Sequence, residues 1–187
     1  PGKPMTEDHP ILAQAGVYAT SKAAADLTCR MAYLTEGDKI VVLRPFNLWG
    51  PGQSVEKMFP RFIDKALRGE PLTIYGGGLQ RRDYLYVKDA CEAIWLAKDL
   101  PAGTICNIAT SANSSINEII LMLKDIFPKL RTQGVEPRKA EVRELLGSYK
   151  RLNKLTGWEP TTFLNVDKLG DVVGWYRENQ KISQPKL

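Results

Sequence analysis

A run of apolar residues near the start of the chain, Ile40-Val41-Val42-Leu43, constrains the fold more than any other feature. A strand with one face in water alternates apolar and polar residues, and this β-branched run does not alternate. It therefore predicts a strand over residues 39–44 that is buried on both faces of a parallel sheet. An apolar stripe with helical spacing precedes it over residues 17–35, and Gly37 is placed to end that helix. A helix followed by such a strand indicates an α/β fold.

The rest of the chain continues to alternate between helical and extended patterns. A further helix is predicted to begin after Ser115, because Ser115 and Glu118 form the Ser-x-x-Glu pattern of a capping box. No internal repeat, low-complexity tract or clean linker divides the chain. The other predicted elements are strands at residues 72–74 and 105–109 and helices at residues 58–68, 87–97 and 166–179.

Tyr18 and Lys22 are the first candidates for chemistry, since they lie four residues apart in the predicted first helix. Residues at this spacing share one helix face, about one turn apart. A nearby ammonium favours the phenolate form of a tyrosine, and a phenolate can accept a proton. Spacing alone is not diagnostic, because Tyr84 and Lys88 are also four residues apart. The catalytic interpretation of the first pair therefore depends on its sequence context.

Several segments give that context, and their order along the chain adds to it. Together they resemble the extended short-chain dehydrogenase/reductases, the family of NAD-dependent sugar epimerases and dehydratases. One departure is Trp49, which replaces a tyrosine that is usual in that family. The matching segments are residues 18–26, with the pattern Tyr-x-x-Ser-Lys, and residues 43–53, 74–78, 82–89, 106–108 and 156–160.

The resemblance implies the C-terminal part of a Rossmann-like parallel sheet with a small α/β substrate-binding domain. The glycine fingerprint of dinucleotide-binding folds, G-x-G-x-x-G, does not occur in the 187 residues. We therefore expect the N-terminal dinucleotide-binding half to be absent. Residues 1–50 would be a remnant of the Rossmann domain, with the Tyr18 helix and the following strand. Residues 51–187 would form mainly the substrate-binding domain and would cross back to the Rossmann sheet at about residues 87–110.

The resemblance further implies a site for a nicotinamide cofactor, NAD or NADP. Tyr18 would be the catalytic base, and Lys22 would favour its phenolate and hold the nicotinamide ribose. Pro45 and Phe46 would border the nicotinamide. The residue that distinguishes NAD from NADP would lie upstream of Pro1, so the sequence leaves that choice open.

A second set of residues would bind a nucleotide-diphosphate sugar. Asn47 follows a predicted parallel strand, where ligands of α/β folds bind, and the planar fork of Arg82 matches a diphosphate. An alternative for Asn47 is a bridge between backbone groups in a turn, and an alternative for Arg82 is a salt bridge to a neighbouring strand or to Asp83. The remaining members of this set are Ile74 and Tyr75, beside the glycine turn 76–78, and Arg138.

The function implied by the resemblance is the modification of a nucleotide sugar with hydride transfer, as an epimerase, a 4,6-dehydratase or a reductase. The sugar, the nucleotide and the reaction type stay open. The 187 residues alone are expected to be inactive, and the full-length protein is expected to be a homodimer formed through the first helix. The alternative is a non-catalytic fragment that binds a sugar nucleotide or a partner chain.

Composition narrows the other classes of function. The net charge of +5 raises the possibility of a nucleic-acid ligand, but acidic residues interrupt the basic segment 129–154 and no aromatic platform accompanies it. We therefore predict no nucleic-acid partner. A single histidine and three scattered cysteines disfavour a metal site and indicate reduced thiols in a cytoplasmic protein. No apolar run is long enough to span a bilayer, so no membrane partner is predicted.

Overall fold

The fold is that of a mixed α/β protein, seen in a computed structural model that describes residues 2–11, 16–137 and 142–179. Every element predicted from the sequence is present, with ends shifted by at most a few residues. The elements in chain order are α1 Val17–Glu36, β1 Val42–Pro45, β2 Asn47–Trp49, α2 Met58–Leu67, β3 Leu72–Tyr75, a 3₁₀ turn Gly76–Gly78, β4 Arg81–Arg82, β5 Tyr84–Tyr86, α3 Val87–Ala97, β6 Ile105–Ile108, β7 Ser114–Ser115, α4 Ile116–Ile126, β8 Thr132–Val135, β9 Glu144–Leu145, α5 Lys150–Thr156 and α6 Val166–Asn179.

Parallel pairing dominates among these strands, which confirms the predicted fold class. Strand β1 pairs with β6 in the register Val42 to Ile105, β2 pairs with β5, and β3 pairs with β8, all parallel. Strand β4 lies between β7, which is antiparallel to it, and β9, which is parallel. Parallel strands need long connections, and here helices supply most of them.

The burial predicted for the first strand was wrong. Its residues Val42, Leu43 and Arg44 are only half-buried. The reason is that β1 pairs with β6 alone within the described part of the chain. A strand buried on both faces needs further neighbouring strands and helices to cover it.

The apolar core divides into two clusters, and β5 contributes to both. Tyr84 and Tyr86 belong to the larger cluster, which also takes in residues of α2, β3, α4 and α6. Leu85 belongs to the smaller cluster, with residues of α3, β6 and α5. Successive side chains of a strand point to opposite faces, so one short strand joins the two cores.

Helix α1 differs from the others because none of its residues is buried. It ends as predicted at Gly37, which adopts the left-handed conformation with φ 74°. Two charge-assisted hydrogen bonds attach it to β1: Arg44 Nε and Nη2 donate to Asp26 Oδ1 and Oδ2 at 2.9 and 2.8 Å. None of the helices in the described ranges is long and apolar enough to cross a membrane.

Candidate functional site

A groove of about 1130 Å³ lies where α1, the β1–β2 junction, the start of α2 and β4 meet. Every site residue predicted from the sequence lines it, apart from Arg138, which lies outside the described residues. The structure therefore brings together side chains that are far apart in the chain. These are Tyr18, Lys22, Pro45, Phe46, Asn47, Ile74, Tyr75 and Arg82.

Tyr18 and Lys22 lie in the first turns of α1, on one side of the groove. Lys22 Nζ is 5.7 Å from the centroid of the Tyr18 ring, and the Tyr18 side chain is 76% exposed. Neither polar terminus makes a hydrogen bond or ion pair with the residues that the structure describes, so both can contact a ligand. Tyr84 and Lys88 do not form such a pair, because Tyr84 is buried in β5 and Lys88 is exposed on α3.

Pro45, Phe46 and Asn47 lie at the junction of β1 and β2. The Phe46 N–H donates to the Ile108 carbonyl at 2.9 Å, and the Asn47 N–H donates to the Asp83 carbonyl at 3.2 Å. Asn47 Nδ2 donates to the same carbonyl over a longer distance, 3.4 Å. The backbone bridge considered as an alternative for Asn47 is thus present in a weak form, and Asn47 still lines the groove.

Arg81 and Arg82 face different surroundings, as the alternation of β4 requires. Arg81 forms a two-bond ion pair with Glu118 at 3.0 Å and also donates to Asn113. Arg82 lines the groove, donates to the Arg81 carbonyl at 2.8 Å, and makes no ion pair with any described residue. The salt bridge to Asp83 is therefore absent, and the guanidinium keeps donors for a ligand.

The glycine turn follows β3 on the nucleotide side of the predicted site. Ile74 is 6% exposed and belongs to the core, while Tyr75 is half-buried, so Tyr75 offers more surface to a ligand. Asn117 Nδ2 donates to the Gly77 carbonyl at 2.8 Å. A Cβ at Gly78 would lie 2.3 Å from Asn117 Oδ1, so this turn needs glycine both for space and for its φ of 71°.

Two features of the site were missed by the sequence analysis. The first is the Arg44–Asp26 pair, whose side chains line the groove and tie α1 to β1. The second is Asp83, which is fully buried beside Arg82. Burial raises the pKa of the Asp83 carboxyl, and hydrogen bonds from Thr110, Gly147 and Ser111 lower it without offsetting burial. No sequence pattern predicted either role, because neither spacing nor periodicity links Asp26 or Asp83 to partners that are distant in the chain.

Comparison with known proteins identifies the family of this chain. Residues 1–109 match the family described as the NAD dependent epimerase/dehydratase family. A dTDP-glucose 4,6-dehydratase of Actinoplanes sp. is 34% identical over 178 residues, which is 93% of this chain and 55% of that protein.

Solved structures of two enzymes are also similar to this chain. The dTDP-glucose 4,6-dehydratase of Streptomyces venezuelae, with NAD and TYD bound, has a TM-score of 0.89 at 30% identity. The match covers 96% of this chain and 56% of the dehydratase chain. A UDP-glucuronic acid 4-epimerase of Bacillus cereus, in complex with UDP-glucuronic acid and NAD, has a TM-score of 0.88 at 27% identity. The match covers 95% of this chain and 57% of the epimerase chain.

The match extends over most of this chain but not over most of its relatives. The chain spans about half the length of the curated relatives it matches. The family match itself covers more than half of the 187 residues. This chain belongs to the NAD dependent epimerase/dehydratase family.

Proposed function

We propose that this chain is part of a longer enzyme that modifies a nucleotide sugar by transient or net hydride transfer with NAD or NADP. The observation that carries the proposal is the single groove that Tyr18, Lys22, Asn47 and Arg82 share. Because they share this groove, Tyr18 can act as a base on the same nucleotide sugar whose diphosphate Arg82 binds. Related proteins named as nucleotide-sugar dehydratases and epimerases support the same chemistry.

The residues on the α1 side fit a nicotinamide and its ribose. Phe46 and Pro45 offer a flat apolar surface in the same groove as the unpaired Lys22 ammonium. The cofactor, when bound, supplies the acceptor for hydride. Tyr18 would remove a proton from a sugar hydroxyl, and Lys22 would donate to the ribose hydroxyls of the cofactor. The exposed position of Tyr18 leaves its hydroxyl accessible to a sugar.

The residues on the opposite side fit a nucleoside diphosphate. Arg82 has no carboxylate partner among the described residues, and its fork of donors pairs with two phosphate oxygens. Asn47 donates to the sugar nucleotide, and Ile74 and Tyr75 border its base. Arg138 is proposed as a further phosphate ligand from sequence alone. Binding energy from the nucleotide then orients the reacting carbon of the sugar against Tyr18.

The proposal covers the whole gene product rather than these residues alone. We propose that the 187 residues are inactive by themselves, and that the full-length protein is a cytoplasmic homodimer. Residues 1–50 would belong to the cofactor domain and residues 51–187 mainly to the substrate domain. Proteins named as dehydratases, reductases and epimerases are all similar to this chain, so the proposal extends to the class and not to one sugar.

Replacing Tyr18 by phenylalanine in the complete gene product tests the proposal. Turnover of the nucleotide sugar that the wild type converts is expected to fall by about 10²–10⁴-fold, since the general base is lost. A panel of dTDP-glucose, UDP-glucuronic acid and related nucleotide sugars, followed by mass spectrometry of the products, identifies that substrate. The circular dichroism spectrum is expected to be unchanged, because Tyr18 is exposed.

Tyr33→Phe is the matched control for this experiment. Tyr33 lies on the same helix and does not line the groove, so its loss is expected to leave turnover within about twofold. Turnover by Tyr18→Phe within a few-fold of the wild type would reject Tyr18 as the base. Conversion of no nucleotide sugar by the wild type would favour a non-catalytic binding role.

A further inference from the structure

Asp83 is fully buried, and its carboxylate joins two other segments of the chain. Oδ1 accepts from the N–H and the hydroxyl of Thr110 at 2.9 and 2.7 Å. Oδ2 accepts from the N–H of Ser111 at 3.1 Å and from that of Gly147 at 3.2 Å. A buried carboxylate with a full set of donors holds its surroundings in one arrangement.

The main chain of Asp83 connects to the predicted substrate ligands. Its carbonyl accepts from the Asn47 N–H at 3.2 Å and from Asn47 Nδ2 at 3.4 Å. Arg82, which lines the groove, is its neighbour in the chain. A displacement of Asp83 therefore moves both Asn47 and Arg82.

The carboxylate also reaches Phe46 through Gly147. A Cβ at Gly147 would lie 2.5 Å from Phe46 Cε2, so the Phe46 ring packs directly on the Gly147 backbone. Ser111 has a φ of 56°, and no other described residue except glycine has a positive φ. Its N–H donates to Asp83, and its hydroxyl donates to the Gly147 carbonyl at 2.9 Å. Asp83 and Gly147 therefore hold the uncommon backbone conformation of Ser111, and the same two residues position Phe46.

We propose that Asp83 is a positioning residue that sets Phe46, Asn47 and Arg82 at their places around the groove, an inference that rests on the proposed function. It makes no contact with the ligand itself, because its carboxylate is occupied by the four bonds to Thr110, Ser111 and Gly147. Asparagine has nearly the same size but only one acceptor oxygen. Asp83→Asn would therefore turn an amide donor towards groups that are donors themselves.

The test compares Asp83→Asn with Asp89→Asn in the complete gene product. Asp89 is a matched control because it is also buried and accepts four hydrogen bonds, from the N–H groups and hydroxyls of Thr161 and Thr162. It does not line the groove. Both variants are expected to lower the melting temperature. Calorimetric titration with UDP, dTDP and GDP identifies which nucleoside diphosphate the wild type binds, and that one serves as the probe.

Asp83→Asn is expected to weaken binding of the probe by about 10- to 100-fold, the size of effect that follows when binding groups shift by about 1 Å. Asp89→Asn is expected to leave it within about threefold. The double variant Asp83→Asn/Arg82→Ala is expected to bind the probe only slightly more weakly than Arg82→Ala alone, because Asp83→Asn then acts on the probe through Asn47 only, so the two effects are less than additive. A merely structural role would not produce this loss of additivity.

Equal affinity for the probe in the Asp83 and Asp89 variants would overturn the inference, as would additive effects of Asp83→Asn and Arg82→Ala. If Asp83→Asn does not fold, Thr110→Val decides. That variant removes one hydroxyl bond to Asp83 and is expected to weaken probe binding several-fold, and unchanged affinity would overturn the inference. Affinity that is also insensitive to Arg82→Ala would overturn the proposed function, whereas sensitivity to Arg82→Ala alone would overturn only the role of Asp83.

Discussion

Residues of one type serve different purposes in this molecule because their surroundings differ. Arg81 is committed to Glu118 and Asn113, while the adjacent Arg82 keeps donors for the groove. Tyr18 is exposed beside Lys22, whereas burial raises the pKa of Tyr84 to about 12 and keeps that phenol neutral. Residue identity gives the possible chemistry, and burial and partners decide which part of it is available.

The thiols give a prediction at the same scale. Burial, followed by the charge of Glu7, raises the pKa of Cys106 to about 11, whereas Cys91 is exposed. A raised pKa keeps the thiol protonated, so at pH 8 about one Cys106 in a thousand is a reactive thiolate. Alkylation with iodoacetamide at pH 8 is therefore expected to modify Cys91 and to spare Cys106 until the protein is unfolded in urea. Peptide mass spectrometry reads both sites, and fast modification of Cys106 in the folded protein would contradict the burial described here.

At the scale of elements, the sequence predicted features that depend on nearby residues, such as helix caps. The capping box at the start of α4 is present: the Glu118 N–H donates to Ser115 Oγ at 3.1 Å, and the Ser115 N–H donates to Glu118 at 2.8 Å. The burial of β1 was predicted wrongly, because burial depends on neighbours that the run of residues 39–44 does not encode. The residues that line the groove could be predicted only through the family resemblance. Asp83 was missed because its partners Thr110 and Gly147 are distant in sequence.

Glu118 allows the capping box to be separated from its ion pair. Partial burial acts to raise the pKa of Glu118, but the hydrogen bond from Ser115 and the Arg81 guanidinium hold it below its usual 4.5. Because the folded pKa is lowered, this stabilisation is fully present above about pH 4.5 and is lost as the pH falls through the folded pKa. Glu118→Gln keeps an acceptor for the cap and loses the ion pair. It is expected to lower the free energy of unfolding by less than about 1 kcal/mol at pH 7, since the side chain is 44% exposed.

Urea unfolding followed by circular dichroism at pH 7 and at pH 3 measures this effect. The difference between Glu118→Gln and the wild type is expected to shrink at pH 3. Ser115→Ala is the control, because it removes mainly the bond that Ser115 Oγ accepts from the Glu118 backbone N–H, which does not titrate, and it is expected to cost about 1 kcal/mol at both values. A Glu118→Gln deficit of equal size at pH 3 would show that the ion pair with Arg81 does not stabilise the fold.

At the scale of the whole molecule, the position of α1 shapes what the groove can do. This helix carries Tyr18 and Lys22, yet none of its residues is buried and its described contacts are mainly with β1. The apolar stripe predicted from the sequence, Ala24, Leu27, Met31 and Leu34, is exposed within the described chain. The stripe therefore does not pack on the strands that the structure describes. A helix held this lightly needs a further surface to fix it, and we propose that a second copy of the chain provides that surface.

Replacing Leu34 by glutamate tests that proposal in the complete gene product. Leu34 is 68% exposed on α1, so a charge there is tolerated by the described fold but is costly in an apolar contact between two helices. The wild type is expected to sediment as a dimer at micromolar concentration, and Leu34→Glu as a monomer with reduced turnover. Leu121→Glu is the matched control, since Leu121 is 62% exposed on α4 and is expected to leave the dimer intact. A wild type that sediments as a monomer, or a Leu34→Glu variant that remains dimeric, would mean that something other than a second α1 covers this helix.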